Sequence, residues 1–333
     1  MKRRAFVAWL PLACMTPPAR SFEFPAQLPP AMEAFVMRMV ATNGFDEAAL
    51  RAVFEGVRLQ PGVIRALTTP ATSKPWKDFR AGQVNRRRVG AGVNFWNDNA
   101  ATLRAAEREY GVAAEIVVAI LGIESQYGRN TGDFRVIDAI STIAFEVPAR
   151  AAFFEGELEA LLLLCRDTGF DPTALRGSYA GAMGWPQFLP SSYRRHAVDF
   201  DGDGRTDLWT SRADCIGSVA NYLRNYGWRS GADVALRATV TPGPGPGPGL
   251  DAAIGAGIKP SLDNDRLRDA GVVPSRPLGA GERAALMLFE GDGGPEYWLG
   301  LDNFFVITRY NRSQNYAMAV WQLGREILAA SGR

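Results

Sequence analysis

Leu121–Gly–Ile–Glu–Ser–Gln–Tyr–Gly128 sets one carboxylate, Glu124, at the end of the apolar run Ala114–Ile123 (AEIVVAILGI). The run is long and apolar enough for a buried helix, and its one charge before Glu124, Glu115, lies near the start. A carboxyl at the dry end of such a helix loses hydration, which disfavours its charged form and raises its pKa. A general acid working near neutral pH needs such a setting. Taken alone, Glu124 reads more readily as a helix-terminal residue that meets solvent or caps a loop. A second block changes that reading: Gly177–Ser–Tyr–Ala–Gly–Ala–Met–Gly–Trp–Pro–Gln–Phe–Leu–Pro–Ser–Ser–Tyr193. Its small residues let backbone approach a ligand, Gln187 offers a donor and an acceptor, and Met183 a soft apolar contact. On composition alone it is equally a tight structural turn.

Outward from these blocks the chain is rich in helical patterns. Met32–Tyr110 shows helical spacing at Phe35, Met39 and Phe45–Leu50, and a further helix is expected from Phe95–Trp96 to Tyr110. Trp76–Val89 carries Lys77, Arg80, Arg86, Arg87 and Arg88, a solvated face or a surface drawn to an anionic polymer. Gly111–Trp228 alternates strong helices with Gly-rich loops, and Leu158–Leu164 packs most simply in a core. After Gly231 come β-like pieces at Val234–Val240 and Ala284–Phe289, with Pro242–Gly249 between them reading as a mobile loop. Trp298 returns to the core, a strand-like piece leads to Tyr310, and Tyr316–Leu328 is an amphipathic helix. The fold class is therefore mainly α (α+β): an N-terminal helical region 28–110, a helical core 111–230, a small β-containing insertion 231–297, and a return 298–333.

Among 333 residues, 37 Lys+Arg balance 35 Asp+Glu, which removes the electrostatic footprint of a nucleic-acid binder. The single histidine, His196, excludes multi-His zinc sites and is expected at the surface or behind the site. Asp133 and Asp138 are expected to cap helices or face solvent. Cys165 and Cys215 sit in helical-looking segments and are expected as buried free thiols. Lys2–Arg–Arg4, the apolar Ala5–Met15 and the following Thr16–Ser21 read as an export signal over 1–21. Arg3–Arg4 resembles a twin-arginine signal. Pro11–Leu–Ala–Cys14 has the outline of a lipoprotein box, but Pro11 stands where an aliphatic residue is preferred. A membrane anchor through Cys14 therefore ranks behind cleavage near Ser21.

Asp199–Phe–Asp–Gly–Asp–Gly–Arg–Thr–Asp207 matches the first half of an EF-hand loop. Oxygen ligands fall at Asp199, Asp201 and Asp203, Gly204 makes the turn, and the Arg205 carbonyl follows. The twelfth position is Thr210 where a Glu belongs, so the standard loop fails there. Three carboxylates this close would repel one another without a cation, and calcium in a structural role is the expected ligand. Tyr310–Asn–Arg–Ser–Gln–Asn–Tyr316 could simply cap the last helix.

In this order, GIESQYG, GELEALLLL, GSYAGAMGWPQFLPSSY, DFDGDGRTDLW, IGSVANYLRNYGW and VITRYNRSQNYAMAVWQLG resemble the lytic murein transglycosylases. The likeness is to the membrane-bound lytic transglycosylase B family, with its lysozyme-like core, and runs from about Met32 to Leu328. It implies that Glu124 is the one catalytic acid, cleaving between N-acetylmuramic acid and N-acetylglucosamine in peptidoglycan and closing a 1,6-anhydro ring. It further implies that Ser178, Met183 and Gln187 line the cleft, with Ser178 near the substrate acetamido group. Tyr310, Asn311 and Tyr316 are implied at the catalytic centre, Tyr222 as a cleft aromatic, and Arg150 as a binder of muramyl or peptide carboxylate. Asp214 is implied as the residue closing the metal loop. The family often has two adjacent arginines at the Arg150 position, and here the first is Ala149. The resulting expectation is a monomer released to the periplasm that binds glycan strands and uses no organic cofactor. A muramidase of the same core and a non-catalytic wall-binding protein are the alternatives.

Overall fold

Helices dominate residues 28–67, 74–241 and 248–333, the parts of the chain that the computed structural model describes. The N-terminal region holds α1 (Pro30–Asn43), α2 (Glu47–Glu55), α3 (Pro61–Leu67), α4 (Trp76–Gln83), α5 (Arg86–Asp98) and α6 (Ala100–Tyr110). The single helix expected from Phe95 to Tyr110 is two. Asn99 leaves helical geometry (φ −122°), and its side-chain amide donates to the Phe95 carbonyl at 2.7 Å, ending α5 where α6 starts.

Next come α7 (Ala114–Ser125), β1 (Phe134–Arg135), α8 (Val136–Glu146), α9 (Ala151–Thr168), β2 (Arg176–Gly177), α10 (Pro190–His196) and α11 (Arg212–Asn225). Every residue of α7 from Ile116 to Leu121 is buried, as a helix apolar on all sides must be. Asp138, expected at the surface, is buried. It accepts from the Arg58 backbone amide (3.0 Å) and pairs with Arg135 (2.9 Å), tying the N-terminal region to α8.

The β-containing part has β3 (Ala235–Val240), α12 (Pro248–Gly255), α13 (Asn264–Asp269), β4 (Val272–Pro274), β5 (Ala285–Gly291) and β6 (Gly294–Gly300). The strands form one antiparallel sheet in the order β4-β3-β6-β5. Period-two alternation lets both faces work. Leu236, Leu286 and Leu299 turn to a local cluster with Leu262 and Leu267, whereas Ala235, Met287 and Phe289 join the main core. Phe289 meets Trp76 of α4 with ring centroids 4.9 Å apart.

The sheet runs to Gly300, two residues past the expected return at Trp298. Residues 242–247 of the Pro-Gly tract lie outside the described residues, and Pro248–Gly249 open α12, not a loop. The strand-like piece before Tyr310 is a helix, α14 (Asp302–Tyr310). Its aromatic and β-branched residues suggest a strand, but burial of Phe304, Val306 and Ile307 in the helical core decides otherwise. The last helix, α15 (Gln314–Ser331), packs on α7 and α5 and is capped by the Ser313 hydroxyl, which accepts from the Tyr316 amide at 3.3 Å.

Cys165 and Cys215 are buried free thiols. Among the described residues no helix is long and apolar enough to cross a membrane. The export signal and Cys14 lie outside them.

Candidate active site

Glu124 occupies the last turn of α7, half-buried, with the helix closing behind it at Ser125. Gln126 and Tyr127 then take left-handed backbone (φ 53° and 60°), and the Tyr127 amide donates back to the Leu121 carbonyl at 3.1 Å. Among the described residues, the one other non-glycine with positive φ is Gln187 (φ 53°), in the second block. Such conformations persist where surrounding packing enforces them, and they gather at functional sites. The enforcement here is visible. The Tyr127 hydroxyl lies against Gly122 of α7 and Gly92 of α5, positions where any Cβ would collide with it, and donates to the Arg88 carbonyl at 3.3 Å.

The carboxyl of Glu124 has its pKa pushed up to about 7 because burial disfavours its charge, an effect the Tyr316 hydroxyl partly opposes by donating to Oε1 at 2.6 Å. No other carboxylate contributes to that shift. The charge of Glu124 is felt by Tyr310 and Tyr316 and, more weakly, by Tyr222; all three phenols are raised above their usual range, chiefly by burial. Tyr316 and Tyr310 stack with centroids 6.4 Å apart, and Tyr310 and Tyr222 lie at 4.7 Å. These aromatics therefore form one wall beside the carboxyl.

Their hydroxyls are not equivalent. Tyr222 donates to the Arg309 carbonyl (2.7 Å) and Tyr310 to the Pro186 carbonyl (2.6 Å), so the bond to Glu124 belongs to Tyr316. Asn311 is exposed at the C-terminal cap of α14, next to this wall. Tyr222 also packs against His196 (4.9 Å) and Tyr226 (4.6 Å). His196 is buried behind the site, not on the surface, and burial with neighbouring Arg195 lowers its pKa to about 4.

The second block folds as a pair of tight turns. The Ser178 hydroxyl oxygen accepts from the amides of Ala180 (3.2 Å) and Ala182 (3.1 Å), leaving its own proton to donate. The Gln187 amide nitrogen donates to the carbonyls of Thr131 (3.0 Å) and Gly184 (2.8 Å), leaving Oε1 as an acceptor. Met183 is completely buried, which corrects its expected contact with a sugar: it pairs with Phe188 through two backbone bonds and supports the turn from below. Gly181 and Gly184 likewise make room for Ile140 and Leu208, not for a ligand. Arg150 is exposed at the end of the 3-10 turn Pro148–Arg150. Residues not foreseen are Trp185, whose ring abuts Gly128 and whose Nε1 donates to the Trp209 carbonyl at 2.8 Å, and Glu157, buried and accepting from the Ser191 amide and hydroxyl (2.9 and 2.7 Å). Both sit in quoted blocks, but nothing in their residue type marks a role.

In the acidic loop, carboxylate oxygens of Asp199, Asp201 and Asp203 lie within 4.8 Å of one another and are exposed. Oxygen donors gathered this way suit a hard cation such as calcium. Asp199 accepts from the amides of Gly202 (2.7 Å) and Gly204 (2.8 Å), and Asp201 from the Ser211 hydroxyl (2.7 Å). Asp214 is buried beneath the loop, its two oxygens accepting from the amides of Phe200 (2.8 Å) and Asp207 (2.7 Å). Asp207, not foreseen, organises the next turn by accepting from the amides of Trp209 (2.7 Å) and Thr210 (2.9 Å).

This arrangement can donate and retrieve one proton at a carboxyl beside a groove walled by aromatics and polar turns. Residues 27–325 match the Transglycosylase SLT domain. The chain is 42% identical over 312 residues to membrane-bound lytic murein transglycosylase B of Escherichia coli (strain K12), covering 90% of this chain and 83% of that one. It superimposes on soluble lytic transglycosylase SltB1 of Pseudomonas aeruginosa with a TM-score of 0.84 at 45% identity, covering 92% of this chain and 100% of the other. On the Escherichia coli lytic transglycosylase Slt35 in complex with calcium the TM-score is 0.82 at 40% identity, covering 91% and 94%. A one-carboxyl site on a helical core of this shape, matched over nine-tenths of its length, leaves one assignment: the chain belongs to the SLT family of lytic murein transglycosylases, enzymes that cleave peptidoglycan.

Proposed function

We propose that Glu124 alone serves as acid and then base in cleaving the β-1,4 bond between N-acetylmuramic acid and N-acetylglucosamine. The observation that carries this is a carboxyl whose pKa is about 7, set by burial and one tyrosine, with no second carboxylate in play. Protonated Glu124 gives its proton to the glycosidic oxygen as the bond to C1 breaks. The substrate's own acetamido oxygen stabilises C1, and the free proton of Ser178 and the Oε1 of Gln187 hold the sugar in place. Glu124, now a carboxylate steadied by Tyr316, takes the proton of the C6 hydroxyl, which closes the 1,6-anhydro ring. Arg150, exposed and without a partner among the described residues, is placed to meet a muramyl or stem-peptide carboxylate. The enzyme acts in the periplasm, where its polymer lies.

Hydrolysis needs either a water held by a second carboxylate roughly 6.5–9.5 Å away or a closer carboxylate nucleophile. The attached C6 hydroxyl has the advantage of being already in position. Muropeptides released from purified sacculi should therefore end in 1,6-anhydro-N-acetylmuramic acid and resist borohydride reduction. Reducible muramic acid as the main product in mass spectra would promote the muramidase reading instead.

A calcium ion is proposed at Asp199, Asp201, Asp203, the Arg205 carbonyl and Asp214, as a clamp on the loop between α10 and α11. Bound to the folded state alone, it stabilises by mass action, about 2.7 kcal/mol at a hundred times its dissociation constant. Chelation should lower the melting temperature more than it lowers activity at moderate temperature. If Asp201→Ala and Asp203→Ala variants melt like the parent both with and without calcium, the site is lost.

A further inference from the structure

A second cleft of about 410 Å³ opens between α4, the β5–β6 hairpin and the later half of α15. Trp321, on its wall, follows Tyr316 by five residues, which on a helix is about 7.5 Å of rise and roughly 140° of rotation. The two rings therefore leave α15 on different faces, and this cleft is not the groove at Glu124. Its aromatic walls are half-buried Trp298 of β6 and Trp321 of α15, with centroids 5.2 Å apart at 77°. Trp298 is held in place: its Nε1 donates to Glu296 at 3.1 Å, and the Arg237 guanidinium lies 4.9 Å over its ring. Arg80 fixes the floor through Gln322 (2.7 Å) and Glu326 (3.2 Å).

The charges are not all spent on one another. Glu296 and Glu326 are paired with Arg237 and Arg80, while Lys77 and Arg325 are exposed with no ion pair or hydrogen bond among the described residues. Asp292 is the one lining carboxylate left to offset those two cations. Fixed aromatic faces beside free cations suit a pyranose that carries a carboxylate, because the rings need no ordering on binding and the acid finds two partners.

We propose that this cleft is a second glycan site, which stacks a sugar of a neighbouring peptidoglycan strand on Trp321 and Trp298 and seats its stem-peptide carboxylate on Lys77 and Arg325. The proposal rests on the substrate being peptidoglycan but not on Glu124 being the acid. Its role is to hold the enzyme on the wall while the groove at Glu124 works on another strand.

The test measures co-sedimentation with purified sacculi in a Glu124→Gln background, alongside cleavage of a soluble N-acetylglucosamine–N-acetylmuramic acid tetrasaccharide by the otherwise unaltered enzyme. Trp321→Ala and the double change Lys77→Glu/Arg325→Glu should each weaken retention about tenfold, the loss of one good contact, with the tetrasaccharide cut at the parental rate. On glycan stripped of its stems, the charge reversal should have no effect. Exposed Lys77 and Arg325 carry the test if the tryptophan variant fails to fold. Parental retention of the charge-reversed protein, or an equal loss on sacculi and tetrasaccharide, overturns the proposal. Residual cleavage by the Glu124→Gln background would count against the catalytic assignment and leave this test readable.

Discussion

Glu124→Gln is expected to lower muropeptide release from sacculi by at least about 10³-fold, since positioned acid–base catalysis supplies roughly 10²–10⁴ and here one group serves both steps. The amide keeps the shape and still accepts the Tyr316 hydroxyl, so the loss isolates the proton. In the parent, activity requires protonated Glu124 and should fall as pH rises through about 7. Stability moves with it. The folded state holds the proton up to about 7, whereas the unfolded chain releases it near the ordinary glutamate value of 4.5. The folded state thus binds more protons between those values, and stability falls as pH rises across that window, by up to about 3 kcal/mol. Glutamine has no charge to bury. The variant should therefore melt higher than the parent at pH 8 and alike at pH 4. Near-normal activity in a variant with unchanged circular dichroism rules Glu124 out as the acid.

The same desolvation explains why this residue is legible in the sequence. A helix that is apolar from Ile116 to Ile123 and ends on one Glu announces both its burial and the carboxyl's environment. The calcium loop is legible for a related reason: alternating aspartates interleaved with glycines make sense only as converging oxygens, and the structure gathers all three. Met183 misleads because composition cannot say which side of a tight turn a side chain takes. The paired backbone bonds to Phe188 turn it inward. The piece before Tyr310 misleads because Phe304–Thr308 is β-branched and aromatic, a local preference that the anchoring of Asn303 helps to override. Asn303 exchanges two 2.8 Å bonds with the backbone of Arg229, so the helix starts docked against the end of α11. The unequal roles of the tyrosines are beyond any sequence pattern. Whether a phenol reaches Glu124 or a carbonyl depends on contacts more than a hundred residues apart, such as Tyr310 to Pro186 and Tyr316 to Glu124.

Gly132→Ala should damage stability and activity together, because Gly132 is where the two halves of the site are held in register. Its φ of +90° is strained for any residue with a Cβ, and a methyl there would collide with the Gly177 carbonyl and lie 2.6 Å from the Ser178 amide nitrogen. Both obstacles are backbone, which cannot rotate away as a side chain can. The neighbouring Thr131 carbonyl accepts from Gln187, and two residues on, Phe134 pairs with Gly177 in the β1–β2 ladder. Relief of the clash must therefore push Ser178 and Gln187 away from Glu124. Left-handed strain of about 1–2 kcal/mol plus overpacking of about 1–3 kcal/mol suggests a total near 3 kcal/mol. At roughly 2–4 °C per kcal/mol for chains approaching this size, the melting temperature should drop by about 6–12 °C. Activity measured well below that temperature should fall on the order of 10²-fold, the effect of a misplacement near 1 Å. Gly44→Ala separates strain from collision: Gly44 has φ +67°, but a methyl at that position would meet nothing within 4 Å. It should lose about 1 kcal/mol and keep full activity. Should the two variants behave alike in melting and in turnover, Gly132 serves only its own turn and does not set the distance between Glu124 and the loop that holds the sugar.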